Sequence, residues 1–195
     1  MAAPMTVAEL DMARKHLPAE LVDVMAEFGR FSWGRGIVQV CHPHDFKSVL
    51  KILFDHDSVF DHKKCHSFLY SIFGKLYFWV EKTGIGYVDL LSGYVVCKNI
   101  VHGIRAGALI EKTIHVPFSD TMDAYDVLDV DGKPLYARAV KSLGIPALGK
   151  CYGFTPLLQM GGERTLPALG IHDSGAHFGM LAQAAAFRLV RAKSP

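Results

Sequence analysis

"SFLYSIFGKLYFWVEK", Ser67 to Lys82, is the stretch that decides the fold. It is dense in aromatic residues, and two further runs of the same character follow it: "GIGYVDLL" at 84–91 and "GYVVCKN" at 93–99. Aromatic and β-branched side chains suit a pleated, packed surface. Gly84, Gly86 and the Ser92-Gly93 pair punctuate the runs, and Ser92-Gly93 suits a tight hairpin turn. The region reads as an antiparallel β-meander.

Working back toward the N-terminus, the period changes. In "LPAELVDVMAEFG" the residues Leu17, Leu21, Val24, Met25 and Phe28 recur at helical spacing, with Pro18 in the first turn and Gly29 as the stop. A loop carrying Trp33 leads to "GIVQVC", a short strand. "HPHDFKSVLKILF" then reads as a helix whose apolar face is Phe46, Val49, Leu50, Leu53 and Phe54. Residues 1–110 therefore form an α+β unit, helices packed on an antiparallel meander.

Beyond it the pattern turns mainly helical. "GIRAGALIEKTI" (103–114), "SDTMDAYDVLD" (119–129, capped by Ser119 or Asp120) and "KPLYARAVKSLG" (133–144) read as helices. "CYGFTPLLQMGG" (151–162) is turn-rich, and "SGAHFGMLAQAAAFRLVRAK" (174–193) reads as a helix with a basic end favoured by the helix dipole. Residues 111–195 make a C-terminal module closely packed on the first, with a soft boundary.

Bulk properties narrow the function. The chain has 195 residues, half of them hydrophobic, and a formal net charge of +2. That is enough for a real core, and it lacks the dense basic face that wrapping nucleic acid requires. The N-terminus carries no long apolar run, which predicts no signal peptide and no membrane span. Cys41, Cys65, Cys97 and Cys151 include no CxxC pair, so a cytoplasmic setting with free thiols is expected. Cys41, Cys97 and Cys151 sit in apolar contexts and read as core.

One stretch invites a catalytic reading. "FDHDSVFDHKKCH" (54–66) sets His62, Cys65 and His66 at helical spacing. In HExxH zinc enzymes the residue after the first histidine is the general base. Here it is Lys63, and Lys64 follows, so base and charge are both wrong for that chemistry. A composite site with His42 or His44 stays open. The bland reading is a solvated loop; the sharper one is a metal-dependent hydrolase using His62 and His66, for which elemental analysis is the direct test. "DVLDVDGKP" fails as an EF-hand: with Gly132 in sixth place, Val127 and Arg138 occupy the first and twelfth. Asp120, Asp123, Asp126 and Asp129 recur every third residue, with Asp131 beyond. On a helix they form one broad acidic face, either solvated or a docking surface for a basic partner.

Two blocks carry a resemblance. "LPAELVDVMAEFGRFSWGRGIVQVCHPHDFKSVL", with the later strand residues Phe73, Gly74, Leu76, Tyr77 and Trp79, resembles the GAD-like domain. "LYARAVKSLGIPALGKCYGFTPLLQMGG" through "GMLAQ", with Tyr152, Gly153, Phe154, Pro156, Gly161 and Gly162, is similar to the C-terminal module of the Tdi family of immunity proteins. The resemblance implies an antitoxin that binds a cognate DNase effector of type VI secretion in the cytoplasm. It implies no catalysis, no cofactor, no direct contact with nucleic acid or membrane, and it fixes no oligomeric state. The quoted residues are hallmarks with structural roles at turns and in a core. The acids from Asp120 to Asp131 are the expected partner contact.

Overall fold

A computed structural model describes residues 1–97 and 122–189. Asp120, the helix expected at 103–114 and the boundary at 110 lie outside the described residues. The architecture is α+β. Eight strands form one sheet in the order β1 (Ala2–Ala3), β2 (Arg30–Trp33), β3 (Val38–Val40), β4 (Cys65–Ser71), β5 (Lys75–Val80), β6 (Gly84–Asp89), β7 (Tyr94–Cys97) and β10 (Arg188–Leu189). Neighbours are antiparallel except β10, which runs parallel to β7. β8 (Lys150–Phe154) and β9 (Leu169–Asp173) make a separate antiparallel pair. The helices are α1 (Val7–Arg14), α2 (Ala19–Phe28), α3 (Lys47–Phe54), α4 (Tyr136–Leu143) and α5 (Ser174–Ala184).

The opening stretch is the centre of this sheet. Its two strands, β4 and β5, are joined by a turn in which Gly74 takes φ +95, a left-handed conformation that glycine adopts without a steric penalty. All of β4 and nearly all of β5 is buried, because helices cover both faces. Along β5 the side chains alternate between two cores, as a pleated strand requires. Tyr77 and Trp79 pack with Leu21 and Met25 of α2, and with Tyr136 and Ala139 of α4. Leu76, Phe78 and Val80 pack with Leu50 and Phe54 of α3, and with Phe178 and Leu181 of α5. Each fully buried Phe or Leu contributes on the order of 1.5–3 kcal/mol.

Helix α2 ends at Gly29 and α4 at Gly144, as their sequences predict. Other elements differ. A further helix, α1, precedes α2, opened by a capping box between Thr6 and Glu9. The turn-rich segment at 151–162 begins as strand β8, because its carbonyls and N–H groups pair with β9. The terminal helix stops at Ala184, and Arg188–Leu189 adds an edge strand to the meander. The described part of 119–129 is a single 3-10 turn, Met122–Ala124, followed by a loop.

The N- and C-terminal segments interlock through polar groups as well as apolar ones. Tyr70 donates its hydroxyl to Gln39 Oε1 at 2.6 Å, and Gly149 N–H donates to both Gln39 and Tyr70. Gln39 in turn donates to the Ala147 carbonyl at 3.1 Å. Gln39 is 1% exposed, so these bonds satisfy an amide that would otherwise destabilise the core.

Candidate functional site

The acid-bearing loop divides its carboxylates between two jobs. Asp126 Oδ1 accepts from the N–H groups of Val127, Leu135 and Tyr136, so it caps the start of α4 from a distance. Asp129 is buried. It accepts from the Asp131 and Lys133 N–H groups at 3.0 and 2.8 Å and pairs with the Arg138 guanidinium. The Arg138 bond, then the Lys133 N–H, hold its carboxyl below the ordinary range. Asp123 and Asp131 are exposed. The expected helical face is therefore a loop folded around two inward acids, with two left outside.

That loop is held firmly. Val130 N–H donates to the Arg164 carbonyl, Asp129 N–H to Lys133, and Gly132 N–H to Asp129. Gly132 takes φ +77 at the reversal. At its root, buried Tyr125 joins the core, and Lys75 Nζ donates to the Ala124 carbonyl at 2.6 Å. The result is a fixed projection that exposes Leu128, Val130, Asp131 and Lys133, with Leu128 51% and Val130 67% accessible and Lys133 Nζ 3.7 Å from the Asp131 carboxylate. Beside it lies a shallow pocket of about 210 Å³ bounded by Phe73, Leu91, Tyr125 and Arg164. Apolar side chains flanked by acids on an ordered loop match the anatomy of a protein-binding patch.

The histidine-rich stretch is not one site. Asp57 and Asp61 act locally: Asp57 accepts from Val59 and Phe60 N–H, and Asp61 from Lys63 N–H. Phe54 and Phe60 belong to the core. His62 faces Asp55 across 3.9 Å. Cys65 and His66 are consecutive on β4 and so point to opposite sides of the sheet. Among the described residues, the group whose candidate ligand atoms lie within 4.8 Å of one another is His16, His66 and Glu81; His62 and Cys65 are outside it. Neither His16 nor Glu81 is flagged by spacing in the sequence, because the sheet and the α1–α2 corner bring them to His66.

The cysteines are all free and buried. Burial raises the thiol of Cys41 and pushes that of Cys65 up to about 12, which keeps both protonated at neutral pH and quiet as nucleophiles. Arg30 ties Glu9 and Asp45 together at 2.7 and 3.0 Å. The Thr6 backbone N–H and then Arg30 lower the Glu9 carboxyl to about 2.

The hallmark residues divide between the core and turns. Phe73, Leu76, Tyr77, Trp79, Tyr152 and Phe154 are buried. Phe73 meets Tyr152 at 5.4 Å between ring centroids, and Tyr152 N–H donates to the Ile72 carbonyl, so the two sequence blocks touch. Gly153 lies under the His177 ring, where a Cβ would fall 2.4 Å from it. Gly161 takes φ +85 at the end of a 3-10 turn. A Cβ on Gly162 would strike the Pro156 carbonyl oxygen at 1.9 Å. His177 itself is 2% exposed, its Nδ1 lacks a partner, and its ring stacks on His172 at 4.9 Å.

No helix among the described residues is long and apolar enough to cross a membrane. No curated protein matches the sequence. The crystal structure of Atu4351 from Agrobacterium tumefaciens shares the fold, with a TM-score of 0.91 at 24% identity over 100% of this chain and 88% of that one. The GAD-like domain model matches residues 1–89, and the model of the C-terminal region of the T6SS immunity protein Tdi1 matches residues 113–185. With both matches in that order along one chain, the protein belongs to the Tdi family of type VI secretion immunity proteins.

Proposed function

We propose that this protein binds a DNase effector of type VI secretion in the cytoplasm of the producing cell and neutralises it by forming a stoichiometric complex, without catalysis. The observation that carries this reading is the match of residues 113–185 to an immunity-protein domain. The fixed loop around Leu128, Val130 and Asp131 supports it, since a nuclease presents a basic DNA-binding surface that exposed acids steer toward and apolar side chains then hold. Within the acidic run, Asp123 and Asp131 are the contact candidates, joined by Asp120; Asp126 and Asp129 shape the loop that presents them.

The test is co-expression with the product of the adjacent gene, read as survival, and as co-elution of the purified pair. A stable complex, together with lost nuclease activity, is expected. Undiminished toxicity with no complex would remove the reading. A complex that inhibits an activity other than DNA cleavage would remove the DNase assignment alone.

A further inference from the structure

We infer that His16, His66 and Glu81 form a zinc-binding site that clamps the α1–α2 corner to the sheet. The three residues come from separate elements and meet on one side of the sheet. His66 lies on β4 opposite Trp79, and Glu81 directly follows β5, where its N–H donates to the Lys64 carbonyl at 3.0 Å. His16 follows α1. Its N–H donates to the Ala13 carbonyl, and its neighbour Leu17 is buried. All three backbones are thus fixed by bonds that do not depend on the side chains, the preorganisation a metal site requires.

The separations suit the ion. His66 Nε2 lies 2.8 Å from Glu81 Oε1, and His16 Nδ1 lies 3.7 Å from the same oxygen. Tetrahedral zinc, with bonds of about 2.0–2.1 Å, sets ligand atoms about 3.3 Å apart, and the two observed distances bracket that value. The imidazole rings lie face to face, 4.3 Å between centroids and 21° between planes, which sets the two histidines side by side next to the carboxylate. His16 Nδ1 is enclosed and lacks any hydrogen-bond partner, a buried polar atom that a metal bond would satisfy.

Zinc at His66 Nε2 takes the neutral tautomer with its proton on Nδ1, and the ion replaces the 2.8 Å contact with Glu81. Two imidazoles and one carboxylate leave a fourth position for water. Lys47, Lys63, His44 and His62 line the adjoining pocket of about 100 Å³. Both lysines are exposed, so their flexible stems carry the charge into solvent.

The experiment titrates the full chain, after removal of metal with a chelator, with zinc by calorimetry. Cobalt absorption and thermal unfolding serve as second readouts. One zinc per chain is expected, with a raised Tm and a four-coordinate cobalt spectrum. His16→Ala and Glu81→Gln each weaken binding about tenfold or more, while His62→Ala leaves it unchanged. His16 and Glu81 side chains are each 36% exposed, so these variants spare the core. Should either fail to fold, the cobalt spectrum of the unaltered chain decides. An aqueous cobalt spectrum, absent zinc uptake, or uptake equal in both variants overturns the site.

Discussion

The buried histidine of α5 makes the fold acid-sensitive by a calculable amount. His177 is 2% exposed and stacks on His172, and the N–H of neither ring reaches the other's partnerless nitrogen. Burial, and then the nearby His172, lowers its pKa from 6.5 to about 4. The native state therefore resists the proton that the unfolded chain accepts. Between pH 6.5 and pH 4 the unfolded state binds more protons, so stability rises with pH across that window and falls on acidification. Integrating the two titrations gives a loss of about 2 kcal/mol between pH 7 and pH 5, approaching about 3 at pH 4. The perturbation is His177→Leu, which removes the titration and keeps the volume apolar. Urea denaturation at pH 7 and pH 5 measures both proteins. His42 and His66, also lowered chiefly by burial, add the same sign to both chains and cancel in the comparison. The unaltered protein should lose about 2 kcal/mol more than the variant over this interval. Equal losses would refute the claim that His177 is held neutral by its surroundings.

Four further outcomes follow from contacts already described. Gly153→Ala forces a methyl group into the His177 ring and should destabilise the fold by about 1–3 kcal/mol, measured by urea denaturation. Gly132→Ala has open space around it and should cost only about 1 kcal/mol from its positive φ. Asp126→Ala removes the cap of α4 and should cost about 1 kcal/mol in the same assay, with amide exchange rising at Leu135 and Tyr136. Asp123→Lys combined with Asp131→Lys should slow association with the effector and reduce its dependence on salt while leaving Tm within a degree or two; unchanged association kinetics would remove the acidic loop from the interface.

The meander was legible because its side chains report it locally: aromatic runs and turn glycines need no partner to be recognised. Helices α2 and α4 were legible for the same reason, through their apolar spacing and terminal glycines. What failed depended on distant chain. β8 is a strand because β9 lies beside it, and the end of the tail is a strand because β7 offers an open edge. The acidic run has helical spacing, yet Asp126 and Asp129 bind backbone N–H groups near the start of α4, which outweighs propensity. The histidine stretch looked like a ligand set because its residues are close in sequence. The group that converges joins residues 15 and more apart, which no local motif discloses.

The placement of the hallmarks changes what they mean. Phe73 belongs to the first block and Tyr152 to the second, and they are packed against each other. Tyr152 also donates its hydroxyl to the Gly144 carbonyl at 2.6 Å, which fixes the end of α4. Helix α4 begins at the residues that Asp126 caps, and Arg138 within it holds Asp129. A chain of direct contacts therefore runs from the meander turn at Gly74, through Phe73 and Tyr152, along α4, to the loop that carries Leu128, Val130 and Asp131. Disturbing a hallmark should loosen that loop without touching any exposed residue. Tyr152→Phe removes one hydroxyl bond and leaves the ring, so amide exchange at Val130 and Gly132 should quicken while the sheet stays protected. If those amides kept their protection, the hallmarks would serve the core alone, and the loop would owe its order to Asp126 and Asp129.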